Sequence, residues 1–150
     1  MIKIICIGKL KETYLKEMVS EYLKRLSKYT KLEIIELADE SFDKEKTLVV
    51  ESEKIEKYIK EKDYVITLEI KGEKLSSLEL ATKIDQTLTR YSNITFIIGG
   101  SYGLGENIKK RSNFSLSFSK LTFPHQLFRV LLLEQLYRSF KIINNETYHK

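Results

Sequence analysis

Residues Ile2 to Ile7 form an apolar run that ends at Gly8, the pattern of a β-strand buried on both faces. Such a strand belongs in a parallel sheet with helices on either side, since a sheet with one wet face alternates apolar and polar residues instead. The rest of the chain keeps to that scheme. Leu15, Met18, Val19, Tyr22, Leu23 and Leu26 recur at helical spacing along one stripe. Leu32 to Leu37 reads as a second strand, residues 38 to 46 as a loop, and about Lys44 to Lys60 as a charged helix with Leu48, Ile55 and Ile59 inward. Tyr64 to Ile70 is a third strand, after which Gly72 permits a turn. Ser76 and Glu79 fit a capping box for a helix that buries Leu80, Ala81, Ile84 and Leu88.

Ile94 to Ile98 is a fourth strand running into a glycine cluster, followed by a short helix near Asn107 to Arg111. Phe114, Leu116 and Phe118 alternate with serines, which predicts a half-exposed fifth strand. Pro124 then suits the first turn of a last helix, where its missing N–H would have had no partner. Strand and helix alternate throughout without a Pro/Ser/Gly-rich linker, so residues 1 to 150 are expected to form one α/β domain with helices on both faces of a parallel sheet.

From Leu127 to Ile143 the last helix is apolar almost all round, and one stripe against the sheet accounts for only part of it. The remainder needs a second cover, either other parts of one chain around a central helix or a second subunit. A homodimer through this helix is the expectation, with Leu132 and Leu133 at the contact.

Gly99-Gly100-Ser101-Tyr102-Gly103-Leu104-Gly105 holds four of the six glycines directly after a strand. Gly100 and Gly105 have Walker A spacing, but Glu106-Asn107 stands where Lys-Ser/Thr would grip phosphate and magnesium. A GxGxxG reading from Gly103 and Gly105 meets Ile108 in place of the third glycine. The cluster is therefore a ligand loop of neither standard kind, or a purely structural turn. No serine sits in a GxSxG elbow and neither histidine has HExxH spacing. Cys6 lies inside the first strand as an inert core thiol, and one Cys with two His cannot close a structural zinc site, so no metal is expected. A single cysteine, no signal-like start and no apolar stretch near ~20 residues point to a cytoplasmic protein without a membrane span.

Chemistry-bearing side chains collect late in the chain: Thr122-Phe123-Pro124-His125-Gln126, then Arg129, Glu134, Tyr137 and Arg138, then Tyr148-His149-Lys150. Glu134 and Arg138 have the spacing of a helical ion pair, and a chain end is ordinarily frayed. Charge collects there too. Residues 1 to 100 carry 18 Lys and Arg against 18 Asp and Glu, whereas residues 101 to 150 carry 8 against 3, the whole net charge of +5. A basic face for an anionic partner such as nucleic acid fits this, as does a solvated edge.

The residues Gly8-Lys9-Leu10-Lys11, Thr67-Leu68-Glu69-Ile70-Lys71-Gly72, Phe96-Ile97-Ile98-Gly99-Gly100, Leu116 to Gln126, Glu134-Gln135-Leu136-Tyr137-Arg138 and Tyr148-His149-Lys150 stand in the order and spacing of a known family. Over its whole length the chain resembles the SPOUT-class ribosomal RNA methyltransferases that methylate N3 of a pseudouridine in 23S rRNA. The resemblance implies a parallel-sheet α/β fold with a deep C-terminal trefoil knot, a homodimer, the ribosome and its 23S rRNA as partner, and S-adenosylmethionine as methyl donor. Carried over by position, the cofactor contacts are Leu68, Gly99 and the segment Phe118, Ser119, Lys120, Leu121, Thr122 and Phe123. Candidates for the chemistry are Arg138 as electrostatic or phosphate contact, His149 as proton acceptor, Tyr148 stacked on the target base, and His125. On pattern alone, a phosphate-binding α/β module and a noncatalytic dimeric interaction domain remain as rivals.

Overall fold

The computed structural model describes residues 1–150, along which strands and helices alternate: β1 (Ile2–Ile7), α1 (Thr13–Leu26), β2 (Leu32–Leu37), α2 (Lys44–Glu56), β3 (Tyr64–Lys74), α3 (Ser77–Leu88), β4 (Ile94–Ile98), α4 (Glu106–Arg111), β5 (Phe114–Ser117) and α5 (His125–Ile143). The five strands pair in parallel in the order β2-β1-β4-β3-β5. β1 and β4 lie inside the sheet and are buried along their whole length, which is why their sequences carry no alternation. One face of the sheet packs on α1, α3 and α5, through residues such as Leu15, Ile84 and Leu133. The other face packs on α2 and α4, through Ile55 and Ile108. Helices on both faces, as expected, leave neither side of the central strands to water.

Lys3 is the one charge in the first run and reaches Asp63 at 3.1 Å. Burial raises the Asp63 pKa, but the Lys60 amide, the Lys3 ammonium and the Thr95 hydroxyl outweigh it and hold the carboxyl below its ordinary range. At α3 the capping box forms as the sequence predicts: Ser76 Oγ accepts from the Glu79 amide at 3.0 Å, and Glu79 Oε1 accepts from the Ser76 amide at 2.8 Å.

Several boundaries and faces differ from expectation. Helix α2 ends at Glu56 rather than Lys60, and it turns Thr47, Glu51, Ser52 and Ile55 inward while Leu48 and Ile59 are only half-buried. Its partner explains the polar face: a Cβ on Gly105 would stand 2.4 Å from Ser52 Oγ, so the backbone of the glycine cluster, not an apolar surface, rests against α2. Strand β3 continues to Lys74. Leu116 of β5 pairs with both Leu68 and Glu73, so residues 69 to 72 bulge out of register. Gly72 serves close approach rather than a turn, since a Cβ there would lie 2.7 Å from the Ser115 carbonyl group. Pro124 is the N-cap of α5, in extended conformation, instead of a first-turn residue. β5 is shorter than predicted, ending at Ser117 before Phe118, and its Leu116 and Ser117 are buried.

The largest correction concerns α5. It packs between α1 and α3 on the sheet, and Leu132, Leu133 and Leu136 are fully buried within one chain. The all-round apolarity is that of a central helix, and Leu132 and Leu133 cannot be contact residues of a dimer. Leu127 is the one exposed apolar residue of this helix, and Phe128, Leu131, Ile142 and Ile143 are half-buried.

Candidate active site

A cavity of about 320 Å³ opens toward the carboxyl side of β3, β4 and β5. The crevice on that side of neighbouring parallel strands is where open α/β sheets hold ligands. The cavity walls come from residues 68 to 71, where β3 leaves its register with β5, residues 98 to 104 at the end of β4, and the connection from β5 into α5. The volume lies in the range of small-molecule sites.

The middle wall is a turn folded on itself. The Gly103 amide donates to the Gly100 carbonyl at 3.0 Å, and Gly103 adopts φ +77, a conformation glycine reaches without strain. A Cβ on Gly99 would stand 2.5 Å from the Gly103 carbonyl oxygen. Gly99 is therefore required by the loop's own packing before any ligand is considered. In a Gly99→Val chain the branched side chain would meet the protein's backbone first, so folding of the loop suffers along with binding.

The third wall is apolar with a few polar groups. Phe128 of α5 stands 4.8 Å from Phe118 and 6.1 Å from Phe123 between ring centroids. Ser119 Oγ accepts from the Leu121 amide at 3.0 Å, while Ser117 Oγ donates to the Ser119 carbonyl at 3.2 Å, which shapes the connection between β5 and α5. Of the residues expected at a cofactor, Leu68, Gly99, Phe118, Ser119, Leu121, Thr122 and Phe123 line the cavity, and His125 joins them. Lys120 does not.

The remaining candidates form a second cluster at the far end of α5. Arg138 Nε donates to Glu134 Oε1 at 3.0 Å, the helical ion pair that the spacing allowed. The same guanidinium lies over the Tyr148 ring, 4.8 Å from its centroid, and its NH1 is 3.0 Å from His149 Nδ1. Arginine only donates, so Nδ1 accepts and the neutral imidazole carries its proton on Nε2. Tyr148 donates its hydroxyl to Glu134 Oε2 at 3.2 Å and packs edge-on against Tyr137 at 4.9 Å. Burial, with the Glu134 carboxylate beside it, pushes the Tyr148 phenol up. Tyr148 is thus docked, while His149 and Lys150 are exposed. From His125 to Arg138 is roughly 20 Å along the helix at ~1.5 Å per residue. Within one chain the two sets of candidates do not meet.

Two residues that the sequence named without a role stand out in the structure. Glu69 sits in the bulge of β3 and is the only carboxylate lining the cavity. Arg129 had been noted without a role; it is 1% exposed, donates to Glu36 Oε2 at 2.5 Å and to the Gly8 carbonyl at 2.9 Å, and ties the start of α5 to the end of β1. An arginine inside an apolar helix was the available signal for the second; the first stood, without a role, in the stretch from Thr67 to Gly72 that carries the resemblance. Much of the C-terminal positive charge is also spoken for. Arg129, Arg138 and Lys141 pair with Glu36, Glu134 and Glu146, and Arg111 donates to the carbonyls of Lys60, Glu61 and Asp63. Lys109 lies 4.0 Å from Glu106, and Lys110, Lys120 and Lys150 remain as the unpaired basic surface of this third of the chain. No group of three or more His, Cys, Asp or Glu is arranged to hold a metal ion. Burial pushes the Cys6 thiol up to about 11, which suits an inert core residue.

A parallel α/β domain with a half-apolar pocket at the carboxyl side of three neighbouring strands is of the class that binds nucleoside-like cofactors. The chain belongs to the SPOUT methyltransferases: the family model described as "Predicted SPOUT methyltransferase" matches residues 1–149. It is 53% identical to the ribosomal RNA large subunit methyltransferase H of Caldicellulosiruptor saccharolyticus, with 100% of both chains covered. It is 55% identical to the protein of the same name from Clostridium botulinum strain Alaska E43, over 99% of each. The solved structure of tRNA (m1G37) methyltransferase from Aquifex aeolicus shares the fold at a TM-score of 0.51 and 17% identity, covering 91% of this chain and 69% of that one.

Proposed function

We propose that this chain transfers a methyl group from S-adenosylmethionine to N3 of a pseudouridine in the 23S rRNA of the large ribosomal subunit. The observation that carries the reading is the cavity at the bulge of β3 and the ends of β4 and β5, lined by seven of the eight residues expected at the cofactor, in a chain whose full-length relatives are named as methyltransferases of large-subunit rRNA. The residues present fit an adenosine: Phe118, Phe123 and Phe128 offer an apolar wall, and the turn at Gly99 to Gly103 brings backbone groups to the rim where a base edge can be read.

S-adenosylmethionine, when bound, supplies a methyl group activated by its sulfonium. The work left to the protein is to position the target nitrogen in line and to remove its proton. Arg138 stabilises negative charge on the imide of the target base, and Tyr148 stacks on that base. His149 takes the N3 proton at Nδ1, which it can do only after that nitrogen has let go of Arg138.

Two sets of functional residues at opposite ends of one helix make sense if two chains complete each other. We infer a homodimer in which the tail of one protomer covers the cavity of its partner. Exposed Tyr14 and Met18 on α1, with Leu127 on α5 and Leu121 at the cavity, supply apolar surface for the contact. We infer that the C-terminal segment threads as a deep trefoil knot, an arrangement in which the turn after β4 and the connection from β5 into α5 meet at one cavity. Lys109, Lys110 and Lys120 suit phosphate contacts with rRNA, and the ribosome as partner puts the protein in the cytoplasm. No helix is long and apolar enough to cross a membrane.

Deleting Tyr148, His149 and Lys150 tests the reading. Dimerisation and affinity for S-adenosylhomocysteine should stay close to wild type while methyl transfer to ribosomes falls by about a hundredfold or more, the scale of a lost proton acceptor. Wild-type turnover by the truncated chain removes the tail from the site.

A further inference from the structure

Glu69 belongs to the same cavity but has no part in the transfer described above. Its Oε2 accepts from the Thr67 hydroxyl at 2.7 Å and from the Ser115 hydroxyl at 2.6 Å. Thr67 is fully buried and is itself 2.8 Å from Ser112 Oγ, so the carboxylate is anchored from β3, from β5 and from the end of α4. Oε1 has no partner in the chain, and the side chain lines the cavity. The other charged or titratable groups on the wall are Lys71, Lys109, His125 and Tyr102. Glu69 is thus the one carboxylate there, held in place by two hydroxyls with its second oxygen left to meet a cationic ligand.

The transfer proposed above changes the charge of what the cavity holds. The donor's sulfonium is positive; after N3 takes the methyl carbon, the C–S bonding pair returns to sulfur and a neutral thioether remains. We propose that Glu69 makes the cavity select the cationic methyl donor over its neutral by-product, so that the spent cofactor is released. This rests on S-adenosylmethionine being the donor. The anchoring hydroxyls fix the negative charge before binding, which spares reorganisation when the sulfonium arrives.

Glu69→Gln is the direct test, because the amide oxygen can still accept from Thr67 and Ser115 while the charge is gone. Calorimetry compares S-adenosylmethionine, S-adenosylhomocysteine, and sinefungin, whose ammonium stands in the place of the sulfonium. The variant should lose about tenfold in affinity for the two cations, roughly 1.4 kcal/mol, and less than about threefold for S-adenosylhomocysteine. Equal losses for all three, or no loss for any, overturn the proposal. The wild-type chain gives a second readout that does not depend on the variant folding: its preference for S-adenosylmethionine over S-adenosylhomocysteine should shrink as salt rises, and a flat ratio contradicts a charge-based preference. A wild type that binds none of the three overturns the methyl-donor reading itself.

Discussion

Adding one methyl group at Gly99 separates the two explanations of the glycine cluster, ligand contact and internal packing. The Cβ of Gly99→Ala would lie 2.5 Å from the Gly103 carbonyl oxygen and 2.6 Å from its carbon, against an ordinary contact of 3.4 Å or more. The Gly103 backbone has to retreat by most of an ångström. It is held there by the 3.0 Å hydrogen bond to Gly100, so the loop cannot yield without distorting its turn. Overpacking of this kind costs about 1–3 kcal/mol, which for a chain of this length lowers Tm by roughly 2–12 °C. Because the turn is a wall of the cavity, the same displacement disturbs the ligand, and an ångström of misplacement is enough to reduce turnover by about a hundredfold. Gly8→Ala is the matched control: φ of +99 strains an alanine by about 1–3 kcal/mol, but nothing lies within 4 Å of the new Cβ and the position is outside the cavity. Thermal denaturation and calorimetric titration with S-adenosylhomocysteine read both variants. Loss of stability in both, with loss of binding only at Gly99, is expected. A Gly99→Ala chain with wild-type Tm and affinity refutes the packing argument.

Arg129→Met keeps the volume of the side chain but removes its ion pair with Glu36 and its hydrogen bond to the Gly8 carbonyl. With Glu36 partly open to water, the loss should be near 3 kcal/mol, a fall in Tm of roughly 6–12 °C; a shift under about 2 °C would show that the buried guanidinium contributes little. Asp63→Asn tests the linkage at the other end of the sheet. The folded carboxyl gives up its proton more readily than the ordinary Asp value of 3.8, so its contribution is complete above that value and is lost as pH falls through the lower folded one. Urea denaturation between about pH 7 and about pH 3 should find the variant less stable at neutral pH and less sensitive to acid, and an acid limb as steep as wild type would exclude Asp63 as its source.

The regular elements were legible because each states its environment in its own period. The unbroken run Ile2 to Ile7 and the serine cap before α3 depend on neighbours a few residues away, and both appear where expected. Other features depend on contacts across the chain. The polar inward face of α2 makes sense only once Gly105 is seen against Ser52, far away along the chain. The apolar circumference of α5 was ambiguous for the same reason: α1 and α3 cover it, and no local pattern distinguishes cover by the same chain from cover by a second one. At the site, the wall from Phe118 to Phe123 came from a resemblance, whereas Glu69 stood in a stretch of that resemblance without a role, since one acidic residue late in a strand looks like any solvated carboxylate. Its place in the cavity follows from the bulge that lets Leu116 pair with both Leu68 and Glu73.

The central claim is a reaction at one atom of one nucleoside. Large ribosomal subunits lacking the modification, incubated with the purified chain and S-adenosylmethionine labelled in its methyl group, provide the substrate. Digestion of the 23S rRNA to nucleosides and mass spectrometry then locate the label. The account predicts that it appears in 3-methylpseudouridine and approaches one methyl group per subunit. Label in any other nucleoside, or none in rRNA from competent subunits, contradicts it.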